Sequence, residues 1–357
     1  MKLVLIFTGA LALLVGAPDA ARSQVVYLDH QHMDFRLQYN PAAEGTNRLG
    51  IILGYDAGTD HFTATNQQVY IVGNTNAKLT IPSNPNFAFL GPAGAPVWIL
   101  PQSQNITLPY VGTSAEDIPP GVFDGPLNFE LISMEGPGNF FAWANSGAGQ
   151  PPIVKFICTN GVVSPQYNVM NPLTGSHEHY NWGFSTNGLY RVTFRCTGQR
   201  LGEATNLIGK AVAWAFQILP LRPWESWGST NWLPATATNL AGPSADPDGD
   251  GIVNALEYAL GLNPNVASTN GLPAFSFVTT NAQTFGALTF TRVKAATDLA
   301  YAPSARSELQ SGAWVTLTNV LSLVDNGPTE TVTVRDSAPV SATTNRFYQL
   351  RVKLNSP

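Results

Sequence analysis

The chain is 357 residues long, and only 11% of it is Asp, Glu, Lys or Arg. Its formal net charge of −5 and lack of any basic run exclude a footprint for nucleic acid or an anionic membrane surface. The length allows two domains with cores of their own. The polar surface must come from Asn, Thr, Ser and Gln, a composition that suits an exported β-rich protein.

The first 23 residues, MKLVLIFTGALALLVGAPDAARS, have the form of a secretory signal. One Lys precedes an apolar run over residues 3–15, and Ala21 and Ser23 supply the small side chains before the expected cut. No Cys follows that run to carry a lipid, and no second apolar stretch is long enough to cross a bilayer. A mature chain outside the cytoplasm, without a transmembrane segment, is expected.

Residues 24–221 run as short alternating stretches between Gly, Pro and Asn turns. QVVYLDHQHMDFRLQYN, LGIILGYD, PVWILPQ, LNFELISM, PIVKFICT and LYRVTFRCTG are examples. Many short strands with frequent turn signals predict a β-sandwich or jelly roll. Cys158 follows Val154 and Phe156 at period two, and Cys196 follows Tyr190, Val192 and Phe194 in the same way, so both thiols face one core. In an oxidising compartment a disulfide between adjacent strands is expected, in preference to two buried free thiols.

Four of the five histidines form two H-x-H pairs, His30/His32 and His177/His179. Residues i and i+2 of a strand share a face. His30, His32 and Asp34 therefore oppose Met33, Phe35, Leu37 and Tyr39, while His177, His179 and Asn181 oppose Tyr180, Trp182 and Phe184. Brought together, the two polar faces offer up to four imidazoles and Asp34, a donor set for Zn²⁺, Mn²⁺, Cu²⁺ or Ni²⁺. Kept apart, they are two independent solvated faces, and spacing does not choose between these. His61 stands alone and reads as a surface residue.

Residues 222–270 begin with a Trp- and Pro-rich passage. Trp224, Trp227 and Trp232 make it too apolar for a free tether, and a locally packed linker is expected. DPDGDGIVNALE follows. Asp246, Asp248 and Asp250 stand at positions 1, 3 and 5 of a twelve-residue loop, with Gly251 at 6, the Ile252 carbonyl at 7, Asn254 at 9 and Glu257 at 12. This is the oxygen-ligand spacing of a Ca²⁺ loop. Ile252, Ala255, Leu256, Ala259 and Leu260 then form an apolar helical stripe, closed by Gly261 and Pro264. NLAGPSA, just before the loop, is not expected to form an entering helix, so the loop resembles the lone calcium loops of dockerin-like or thrombospondin-type-3 segments. Residues 271–357 return to alternating stretches and predict a second, smaller β-sandwich, so the fold class is mainly β.

GSHEHYNWGFSTNGLYRVTF resembles the signature of the bacterial surface-anchored domain called choice-of-anchor M. That family carries an H-x-H-x-N-W-x-F segment, here His177, His179, Asn181, Trp182 and Phe184. A G-x-Y-x-V-x-F strand follows, here Gly188, Tyr190, Val192 and Phe194. Its opening H-x-D strand is matched by His32 and Asp34, and FAFLGPAGAPVWILPQ and MEGPGNFFAW fall between in the same order. The resemblance implies a cell-surface or envelope role linked to zinc or manganese, with His32, Asp34, His177 and His179 as the site and His30 as an extra candidate. The chain departs from the family in lacking a sorting signal, a C-terminal anchor and a lipid-bearing Cys.

A metal-binding envelope protein is therefore the leading expectation. Carbohydrate binding or adhesion is the alternative, suggested by eight Trp and eleven Tyr. A metal-dependent hydrolase comes next, weakened because Glu178 points away from its flanking histidines and no nucleophile elbow is present.

Overall fold

The computed structural model describes residues 25–147, 149–232, 238–308, 311–342 and 345–355. The expected signal segment, residues 1–23, lies outside them. The fold is mainly β, and the described residues form two compact units, residues 25–221 and residues 222–355.

In the first unit a 12-stranded sheet and a five-stranded sheet share one core. The five-stranded sheet runs in the order His177–His179, Tyr110–Ser114, His32–Tyr39, Leu49–Ala57, Asp60–Ala64. Met33, Phe35 and Leu37 point from it into the core, where the Phe35 ring meets Phe129, Trp182, Phe194 and Trp214 at centroid distances of 5.3–5.7 Å. Each such aromatic contributes roughly 1.5–3 kcal/mol by burial.

Both histidine-bearing segments cross between the sheets. Val26–Leu28 pairs with Val69–Gly73 in the large sheet, and after the bend at Asp29 and His30 the chain enters the small one at His32. In the other direction, His177–His179 pairs with Tyr110–Ser114, while Asn181–Phe184 pairs with Phe140–Ala144 in the large sheet. The strand expected to run unbroken through residues 177–184 is interrupted at Tyr180. The alternation survives: Tyr180, Trp182 and Phe184 are all buried in the core.

The expected disulfide is absent: Cys158 and Cys196 are free, buried thiols. Both enter the same core, but Ile153–Thr159 and Gly188–Gln199 are not adjacent strands. Val162–Met170 and Asn128–Glu135 stand between them. Three strand spacings amount to roughly 14 Å, twice the reach of a disulfide. Burial raises both thiols above their ordinary range, that of Cys196 to about 12.

In the second unit a four-stranded sheet (Ala274–Thr280, Gln283–Val293, Thr329–Pro339, Asn319–Asp325) and a three-stranded sheet enclose a core of Leu288, Phe290, Ala305, Leu317, Val332 and Val334. The Trp/Pro passage forms a short helix, Pro223–Asn231, whose Trp224 and Trp227 rings pack on Tyr258 at 5.3 Å. One helical turn, Thr238–Ala241, stands before the acidic loop where no entering helix was expected, and it stops at Gly242-Pro243. The helix after the loop spans Asn254–Leu260 and ends at Gly261, which is left-handed at φ 74°. Tyr258, outside the expected stripe, is buried with Ala259 and Leu260. Among the described residues, no helix is long and apolar enough to cross a membrane.

Candidate metal centre

Cross-strand register assembles the first site on the polar face of the five-stranded sheet. Asp34 pairs with Gly112, and Gly112 pairs in turn with His179, so Asp34 and His179 flank a residue with no side chain. A Cβ on Gly112 would clash with Asp34 Oδ1 and lie 2.9 Å from His179 Cε1. The glycine is thus the gap into which both donors lean. His32 sits two pairs along, on the same face, opposite Tyr110.

The two histidine pairs meet through one member each. His32 Nε2 lies 3.2 Å from His179 Nε2 and 3.4 Å from Asp34 Oδ2, and His179 Nε2 lies 3.7 Å from Asp34 Oδ1. Neighbouring ligands of a tetrahedral ion with bonds of about 2.0–2.2 Å stand roughly 3.3–3.6 Å apart, so the spacing fits. Asp34 Oδ1 is buried without a hydrogen-bond partner.

The surroundings prepare these donors. His32 Nδ1 is 2.8 Å from Asp56 Oδ2, which turns Nε2 of the ring toward the cluster. The other oxygen of Asp56 meets His61 Nδ1 at 2.5 Å. Burial works to raise the Asp56 carboxyl, but the hydrogen bonds from His32 and His61 prevail and hold it below its ordinary value. The Tyr110 ring stacks on His179 at 3.6 Å and 4°. Burial, then the imidazoles of His32 and His177, push His179 down to about 4 against the pull of the Val111 carbonyl. It is therefore neutral near pH 7, the form that ligates metal. Burial raises Asp34 above the usual carboxylate value, although His32 and His177 oppose the shift.

The remaining candidates stand further out. His177 is at the rim, with Nδ1 2.9 Å from Glu116 Oε1 and its ring centroid 5.6 Å from His179 and 6.4 Å from His32. His30 lies on the inter-sheet bend, exposed and paired with Asp29, and is not part of the cluster. Glu178 faces the other way and accepts from the Tyr180 hydroxyl at 2.7 Å. Asp56, Tyr110, Gly112 and Glu116 belong to no motif in the sequence, and His61 stands isolated there. Only the alternation of Tyr110, Gly112 and Ser114 hinted at a strand there.

In the second unit Asp246, Asp248 and Asp250 converge, and their oxygens accept from backbone N–H groups of the loop and of Ser268. Asp246 accepts from Gly249 and Gly251, Asp248 from Asp250, and Asp250 from Ile252 and Ser268. Gly251 takes φ 87°, a left-handed turn that a side chain would strain. Asn254 donates to the carbonyls of Leu240 and Gly242, tying down the preceding turn. Glu257 is 1% exposed, and its Oε2 has no partner. Burial, then Asp248, Asp250 and Asp246, push its carboxyl up to about 7. In comparison with known proteins, no family model matches the chain and no curated protein matches its sequence.

Proposed function

We propose that this chain is a metal-binding protein of the cell envelope or exterior. Its first unit holds a transition-metal ion, Zn²⁺ or Mn²⁺, through His32, Asp34 and His179, and its second holds Ca²⁺ through the loop from Asp246 to Glu257. The carrying observation is the convergence of two imidazole nitrogens and a buried carboxylate at separations of 3.2–3.7 Å around a glycine gap. Two nitrogens and one oxygen suit zinc or manganese and not calcium, which takes oxygen alone. For calcium, support comes from the buried carboxylate of Glu257, its Oε2 unpartnered, beside three aspartates. The signal-like opening residues and the ordered motifs resembling the surface-anchored domain support the location.

Metal analysis of full-length protein tests both sites. One transition-metal ion and one calcium ion per chain are expected after equilibrium dialysis. His32→Ala/His179→Ala should lose the first alone and Asp248→Ala the second alone. Unchanged zinc and manganese content in the double variant would overturn the first assignment, and unchanged calcium in Asp248→Ala the second.

A further inference from the structure

We infer that the ion held by His32, Asp34 and His179 keeps coordination positions open and takes a small exogenous ligand there, water or a carboxylate-sized anion. This rests on the metal reading above and specifies what the site does with its ion. A structural zinc site is closed by four protein donors, whereas three protein donors leave a position for an outside ligand. Two histidines and one carboxylate with open positions form an exchangeable centre of the same kind.

Among the described residues three donors converge, and the imidazole of His177 stands outside them, its ring centroid 5.6 Å from His179 and 6.4 Å from His32. His177 is bound through Nδ1 to Glu116 at 2.9 Å, outside the group formed by His32, Asp34 and His179. The sheet closes one side of the cluster through Gly112 and the Tyr110 ring stacked on His179. Beside the cluster lies a cleft of about 220 Å³, whose lining includes His32 and Asp34 with Arg36, Asp56, His61 and Glu116. A water takes about 30 Å³ in the liquid, so this cleft accommodates several waters or one small anion next to the ion. With Asp56 holding the His32 ring through Nδ1, the ligand set stays in place while the cleft side exchanges.

Cobalt(II) reports this directly, because its visible bands depend on coordination number and ligand type. Full-length metal-free protein loaded with one equivalent of cobalt should show bands that shift on adding azide and saturate. The response should persist in His177→Ala. Cobalt bands that require His32 and His179 but ignore azide would overturn the open site and leave the metal reading standing. An azide response that appears only in His177→Ala would show that His177 closes the site, and would also overturn it. Absence of any cobalt band dependent on His32 and His179 would overturn the metal reading and this inference with it.

Discussion

Replacing Gly112 by alanine would put a methyl group against Asp34 Oδ1 and the His179 ring, so both donors must move. At least about ten-fold weaker zinc binding is expected, measured by competition with a chromophoric chelator. Asp56→Ala should weaken it about 10–100-fold by freeing the His32 ring, the usual effect of losing an outer carboxylate. Neither residue was legible as part of the site, because each acts through a cross-strand neighbour remote in sequence. The thiols make a separate prediction. Unfolding without reductant should release two thiols per chain to a thiol reagent, and the folded protein should release none, since Cys158 and Cys196 are fully buried. The period-two reading placed both side chains in the core correctly. It could not tell that two strands separate them.

The helix Asn254–Leu260 carries a carboxylate whose titration couples to folding. Glu257 has an ordinary value of 4.5, and in the folded metal-free protein it holds its proton up to about pH 7. Between those values the folded state binds the extra proton. This contribution to stability is therefore full below pH 4.5 and is lost as pH rises through 7. After chelation, the melting temperature of the second unit should be higher at pH 5.5 than at pH 8. Glu257→Gln should flatten that dependence, and calcium should reverse it by stabilising the ionised carboxylate. At this scale the convergence of the three aspartates and the helix after them were legible, because the acidic spacing and the Gly261 stop are local. The strand Leu299–Arg306 was not, because Pro303 interrupts its pattern, although that carbonyl accepts from Leu317 in the finished sheet. The break at Tyr180 was hidden for another reason. Each half of the segment is extended, and only its pairing partner says which sheet it joins.

Across the whole molecule each proposed ion lies inside one compact unit, and its protection should stay there. Hydrogen exchange should slow over residues 110–114 and 177–179 with zinc, and over residues 246–260 with calcium. Protection by zinc confined to an exposed turn such as residues 57–60 would contradict a site built on the sheet. The sequence by itself determined the mainly β class, the alternation that seats Met33, Phe35, Tyr180 and Trp182 in the core, and the polar faces left over. These follow from the period of a strand, which is a property of the local backbone. Only the tertiary structure decided that His32 and His179, 147 residues apart, come within 3.2 Å, that Asp34 joins them, and that His30 does not. That outcome depends on strand order and register, with Tyr110–Ser114 inserted between the two histidine strands and a glycine at the shared position. Pairing of this kind is set by the burial of both sheets against one core, and no short stretch of sequence contains it.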